Sequence, residues 1–394
     1  MSISLRRIAQ AIVLAGGAGA RLMPLTASKP KPLVPIANRP ILDYAIDLLL
    51  NSGVEEAILV VKYLGDQIRE HIKKNPKEGI DIKMPDVRPL DTADAVRKVS
   101  TYIQDDFVIT MADILTNINL REFMQFHIEK EGIASITLEP VDTPLEYGVI
   151  ILDSSNRIKH FLEKPQPTEL YVSSIGFAER EVAYLHSNLI NTGMYAFSQE
   201  ILDILDQQPS LMDFGKHVFP FLIEKTFEIY GYVAEYYWLD VGNPKIYLKA
   251  NWDVLRGKCQ PYSGNVFSSY SQLETRDVWV GEGVNISPSA RISPPVLFGD
   301  NVEIEDSANI GPFTVIGDDC VIERNTVIEN SVLWERVIVK EEAKVTEAII
   351  CNDSVIGERA KLDSFSIIGD HSKIGKEIHI ETNMKILPST MMEG

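Results

Sequence analysis

Residues Ala11 to Leu42 read AIVLAGGAGARLMPLTASKPKPLVPIANRPIL, a stretch holding two kinds of group that could do chemistry together. Gly16, Gly17 and Gly19 lack side chains, so their backbone can take positive φ angles and bring N–H groups close to an anion. Arg21 and Lys31 add two cations on a segment punctuated by Pro24, Pro30, Pro32 and Pro35, which cannot be regular helix and holds an extended path. Amide donors beside two fixed cations suit a triphosphate. A Walker loop is excluded because no Gly-Lys-Ser/Thr closes the motif. A dinucleotide fingerprint is excluded because Arg21, Leu22 and Pro24 stand where a third glycine would open a helix.

The elements that must position these groups follow from hydrophobic patterning. Ala11 to Ala15, including Leu14, is an apolar run ended by glycine, as expected of a buried parallel strand. ILDYAIDLLLNSG has helical spacing with proline before it and Gly53 at its stop, AILVV reads as a second strand, and Asp66 to Lys74 reads as a second helix. Alternation continues through DIKM, TADAVRKVSTYI, DFVITMAD and LREFMQFHIEKEG, which predicts an α/β domain with a Rossmann-like, mostly parallel sheet flanked by helices. Ligands of such sheets lie beyond the carboxyl ends of the strands, where the glycine loop falls. Asp113 follows DFVITM at the same edge, suited to bind magnesium beside phosphates. Asp240 ends an aromatic strand ahead of a Gly-Asn-Pro turn. Turn capping for Asp113 and helix capping for Asp240 are the competing readings.

LAGGAGARLMPLT followed by KPKPLVPI resembles the signature of the sugar-1-phosphate nucleotidylyltransferases. The resemblance implies an enzyme that joins a nucleoside triphosphate to a sugar 1-phosphate and releases pyrophosphate. It implies catalytic roles for Arg21 and Lys31. Leu14, Ala15, Gly16, Gly17, Gly19, Asp91 and Thr92 would surround the nucleotide, and Gly148, Glu163, Lys164, Asn191 and Thr192 the sugar phosphate. Glu163 would accept hydrogen bonds from sugar hydroxyls, Lys164 would meet the phosphate, and Asp113 and Asp240 would hold Mg2+. LMDFGKHVFP, with Asp213, Phe214 and Lys216, reads as scaffold.

The sequence departs from the signature in places. Ala20 stands where the signature has threonine, Ala112 where glycine usually precedes the metal-binding aspartate, and Asp91-Thr92-Ala93 where it has Gly-Thr-Ala. Asp91 thus puts a carboxylate where a base or ribose would approach. Residues 168–186 read as an insertion, expected to form a lid or a subunit contact.

A second pattern fills the C-terminal part. Apolar residues recur every six positions from Val280 through Ile328 to Trp334 and again from Ile350 to Ile380, with glycines in phase. That period belongs to hexapeptide β-helix repeats. A left-handed prism of about five or six coils is expected, with a loop or register change between Trp334 and Ile350. The domains are then 1–256, a linker at 257–277, and a β-helix at 278–394. This layout resembles the mannose-1-phosphate guanylyltransferase type of chain. Uridylyl or thymidylyl transfer to glucose 1-phosphate, an additional acetyltransferase using His371 or His379, and a regulatory subunit without turnover stay open.

The net charge of −18 on 394 residues disfavours nucleic acid and anionic lipid as partners, so anionic substrates must be met by local cations. Three scattered cysteines without CxxC point to neither disulfides nor zinc and fit a reducing cytoplasm. The first residues run into the strand without the apolar core of a signal peptide, and no apolar run is long enough to span a membrane. The repetitive β-helix face suits homo-oligomer assembly.

Overall fold

A computed structural model describes residues 7–169, 188–259, 268–269 and 277–394. The insertion at 168–186 and the linker at 257–277 lie almost wholly outside them. Packing divides the chain into two units, Met1–Gly17 with Ala45–Trp238, and Ala18–Tyr44 with Leu239–Gly394. The proline-rich signature and the helix Pro244–Leu255 therefore belong with the β-helix, a grouping that a linear boundary at 256 does not express.

The first unit is built on one sheet of nine strands. Gln10–Ala15 is central, paired in parallel with Glu56–Val61 on one side and Phe107–Met111 on the other, and Asp81–Lys83 follows in parallel at the edge. These are the runs richest in Ile, Val, Leu and Ala, as a sheet covered on both faces requires. Beyond Phe107–Met111 the sheet turns antiparallel through Leu189–Phe197, which pairs with both Ala134–Pro140 and Gly148–Leu152. The parallel half ends in the glycine loop and Asp113. The antiparallel half carries Gly148, Glu163, Asn191 and Thr192. Phe107, Phe197, Phe214, Phe219 and Tyr195 form an aromatic core beneath it. Among the described residues no helix is long and apolar enough to cross a membrane.

In the second unit, short strands from Val278 to Met392 stack in parallel on three faces of a β-helix. The faces hold seven, seven and six parallel strands, so the prism approaches seven coils rather than the five or six counted from hexads. The strands Lys385–Ile386 and Met391–Met392, which extend it, lie beyond the last hexad read from sequence.

The register change is real, but no loop causes it. Inward residues run Ile322, Ile328, Leu333, Val339, Val345, Ile350 and Ile356, all buried in one core. Two steps, Ile328 to Leu333 and Val345 to Ile350, span five residues instead of six. The pairings of Ile316 with Leu333 and of Leu333 with Ile350 fix this. Trp334 is therefore not an inward residue, as hexad counting has it. Leu333 fills the prism, and Trp334 packs outside it.

Candidate active site

In the first unit, Leu14, Gly16, Gly17, Lys62, Leu90, Asp91, Thr92, Met111 and Asp113 line one cavity of about 350 Å3. That volume lies within the range of small-molecule sites. Most of the nucleotide-side residues expected from sequence thus share a wall with the first proposed metal ligand, whereas Ala15 is buried within its strand. Lys62, exposed just after the strand Glu56–Val61, is a cation that the signature does not single out. Its only sequence signal is its place at a strand end. A larger cavity, about 930 Å3, is lined by Arg97, Asp105, Asp106 and Asp203 at the opposite, amino end of Phe107–Met111. There Arg97 is engaged by the carbonyls of Leu205 and Leu211 and by Asp94, and Arg7, which also lines the cavity, by the Gly53 carbonyl and Glu55.

Asp91 is the N-cap of the helix Thr92–Val99, its carboxylate accepting the Thr92 N–H at 2.9 Å. Capping satisfies a backbone donor that the helix leaves without a partner, so the departure from glycine has a local structural use as well as a place on the cavity wall. The Thr92 hydroxyl donates to Asp213 at 3.0 Å and accepts the Phe214 N–H at 3.1 Å. It ties the cavity wall to the turn Phe214–Val218.

That turn also shapes the surroundings of Glu163, which is expected from sequence to meet the sugar. Gly148 and Gly215 flank the Glu163 carboxylate so closely that a Cβ on Gly215 would lie 2.8 Å from Oε2. Asp213, Gly215 and Lys216, which read as scaffold, therefore form the immediate surroundings of Glu163. Burial holds the Glu163 carboxyl above the usual carboxylate range, with the charge of Asp213 reinforcing it and Lys164 and Lys216 opposing it. Lys164 is exposed and takes a left-handed φ of 48°, a conformation that costs energy in a non-glycine residue and gathers at ligand sites. Asn191 donates to the Tyr195 hydroxyl at 2.9 Å and accepts the Gly193 N–H. Thr192 is buried, and its hydroxyl is engaged by Thr137. Its side chain holds the strand and does not line a surface.

A pH effect follows. As pH falls, protons reach Glu163 before they reach an ordinary glutamate, so the acid limb of kcat/KM for the sugar phosphate should lie above the ~4.3 of a free glutamate side chain. Glu163→Gln should abolish that limb and weaken sugar-phosphate use by about 10- to 100-fold, the worth of hydrogen bonds to a charged acceptor. An identical limb in the variant would assign it to another group.

In the second unit, Lys31, Asp240, Arg21 and Gly242 come together. Lys31 is 7% exposed, and its Nζ lies 3.4 Å from Asp240 Oδ1. A Cβ placed on Gly242 would sit 3.2 Å from the Arg21 guanidinium and 3.4 Å from Asp240 Oδ2. Asn243, not Asp240, caps the helix Pro244–Leu255, accepting the N–H groups of Lys245 and Ile246. Asp240 thus has no helix-capping duty. Gly19 has a φ of 64°, and a Cβ there would lie 2.9 Å from Thr26 and 3.1 Å from Lys31. Gly19→Ala should cost about 1–2 kcal/mol from the left-handed backbone alone. It should lower the thermal midpoint and displace Lys31, with turnover falling alongside; wild-type stability and turnover would contradict this placement.

Among the described residues no cluster of three or more metal-ligating side chains exists. Mg2+ does not need one: it commonly takes one or two carboxylates together with substrate phosphates and water. Asp113 and Asp240 supply hard oxygen donors of that kind, each at the end of a strand region.

Both parts of the fold are matched by known families. The model described as nucleotidyl transferase covers residues 10–257, more than half of the chain. The chain belongs to the nucleotidyl transferase family. A second match, to the EIF2B subunit epsilon LbH domain, covers residues 275–380 of this nucleotidyl transferase and agrees with a left-handed β-helix. The chain is 30% identical over 292 residues to the mannose-1-phosphate guanylyltransferase catalytic subunit beta of Drosophila melanogaster, covering 72% of this chain and 70% of the relative. It is 31% identical over 293 residues to the protein of the same name from Xenopus tropicalis, with 72% of each chain covered. The mannose-1-phosphate guanyltransferase of Saccharomyces cerevisiae is 31% identical over 290 residues, covering 72% and 71%. The expected enzyme class and both folds stand. His379 pairs with Asp363 at 2.6 Å, and His371 lies 3.7 Å from Asp353, both on the exposed surface of the β-helix.

Proposed function

We propose that this nucleotidyl transferase forms GDP-mannose and pyrophosphate from GTP and mannose 1-phosphate. The observation carrying the choice of substrates is that relatives from insect, amphibian and yeast, each aligned over about 70% of its length, are named mannose-1-phosphate guanylyltransferase or guanyltransferase. In this reading a phosphate oxygen of mannose 1-phosphate attacks the α-phosphorus of GTP in line. The new P–O bond forms as the α–β phosphoanhydride bond breaks, and pyrophosphate takes the electron pair. Phosphoryl-type transfer depends chiefly on positioning and charge neutralisation.

The amides of Gly16, Gly17 and Gly19 cradle phosphate oxygens, while Arg21 and Lys31 neutralise the charge that builds on the leaving pyrophosphate. Asp91 meets the base or ribose. Glu163 accepts from sugar hydroxyls, with Lys164 at the sugar phosphate and Gly148 giving it room. Mg2+, held by Asp113 and Asp240, would screen the triphosphate from its attacking partner. The same reading places the reaction in the cytoplasm and gives the β-helix a role in homo-oligomer assembly, which sedimentation at several concentrations checks.

The test pairs ATP, GTP, UTP and dTTP with mannose, glucose and N-acetylglucosamine 1-phosphates and follows pyrophosphate. GTP with mannose 1-phosphate should give the highest kcat/KM. Another preferred pair would reassign the substrates, and no release from any pair would favour a regulatory subunit.

A further inference from the structure

The contracted hexad between Ile328 and Leu333 has a consequence at the signature segment. Because Leu333 takes the inward position, Trp334 falls outside the prism, yet only 2% of its surface is exposed. Its indole N–H donates to the Tyr247 hydroxyl at 2.9 Å, and that hydroxyl donates to the Pro35 carbonyl at 2.6 Å. Both side chains are buried, so each hydrogen bond is shielded from water and either orphaned partner would be costly. Lys29 lies 4.8 Å over the Trp334 ring, and the Ser28 hydroxyl donates to the buried carboxylate of Asp370. The Asn38 side-chain amide donates to the Ile316 carbonyl at 2.8 Å. Lys31 stands between these attachments.

The segment between them is stiff. Pro30, Pro32 and Pro35 fix three of its φ angles, and the turn Lys31–Leu33 closes through Leu33 N–H to Pro30 and Val34 N–H to Lys31 carbonyls. A shift of the Pro35 carbonyl is therefore passed toward Lys31 through a backbone with few free φ angles.

We propose that Trp334 and Tyr247 are positioning residues for nucleotidyl transfer: the β-helix, through their hydrogen-bonded relay to Pro35, sets the place of the Lys31 ammonium. Neither touches substrate. The β-helix is then part of the catalytic apparatus as well as a platform for assembly. The inference rests on the role given to Lys31 above.

The experiment is a double-mutant cycle in the full-length protein with GTP, mannose 1-phosphate and Mg2+, scoring kcat, both KM values and thermal midpoint. Tyr247→Phe keeps the ring and removes the relay. It should lower kcat by about 10- to 100-fold, as small misplacements of a catalytic group do, with each KM within about threefold. Trp334→Phe should behave alike. In a Lys31→Ala background, Tyr247→Phe should lower kcat by less than about twofold, because the group it places is gone. An equal loss in both backgrounds, or an unchanged kcat in a folded Tyr247→Phe, would overturn the proposal. Should Tyr247→Phe not fold, Ser28→Ala, at an exposed position, loosens the same segment and should show the same dependence on Lys31. If Lys31→Ala itself leaves kcat unchanged, the Lys31 assignment fails instead, and the two failures are distinguishable.

Discussion

Lys31→Ala should lower turnover by about 10²–10³, the usual cost of removing one preorganised group that stabilises developing charge. The effect should fall on kcat more than on the KM for GTP, because the charge on the departing pyrophosphate grows only in the transition state. Burial is what makes the group strong. At 7% exposure the ammonium is shielded from water, and the nearby Asp240 carboxylate offsets the cost of keeping a charge there. The Asp240 side chain is itself 33% exposed, so the variant leaves it hydrated and the fold intact. A loss below about threefold would remove Lys31 from the mechanism.

Asp113→Asn and Asp240→Asn should each raise the Mg2+ concentration needed for half-maximal turnover by at least the ~10- to 100-fold seen when even a supporting contact of a metal site is lost. The two should differ otherwise. Asp113→Asn should regain much of its turnover at saturating Mg2+, since the role proposed for Asp113 is oxygen ligation only. Asp240→Asn also weakens the counter-charge 3.4 Å from Lys31, so its kcat should stay depressed at any Mg2+ concentration. Unchanged Mg2+ titrations in both variants would contradict the paired-ligand assignment.

The glycine loop, Arg21, Lys31 and the strand-end aspartates could be read from sequence because each is encoded within a dozen residues of the strand or turn that places it. The period of six was equally legible, since every coil repeats the same inward residue. What lay beyond the sequence was long-range. Gly215 approaches Glu163 from more than fifty residues away along the chain, so only the folded unit shows why that carboxylate resists ionisation. Thr192 lies in the expected segment, but strand alternation turns its hydroxyl toward Thr137. One hexad shortened by one residue, between Ile328 and Leu333, moved Trp334 from the row of inward residues to the outside, a change that counting by sixes cannot locate because two adjacent positions, Leu333 and Trp334, are both apolar.

The central claim is that one divalent ion, one triphosphate and four side chains, Arg21, Lys31, Asp113 and Asp240, act together. Anomalous scattering from Mn2+ in crystals grown with a non-hydrolysable GTP analogue tests it most directly. The account predicts one Mn2+ within about 2.0–2.3 Å of an oxygen from each aspartate and from the triphosphate, with Arg21 and Lys31 on the β- and γ-phosphates. Mn2+ bound to only one aspartate or to neither, or the two cations facing away from the triphosphate, would contradict it.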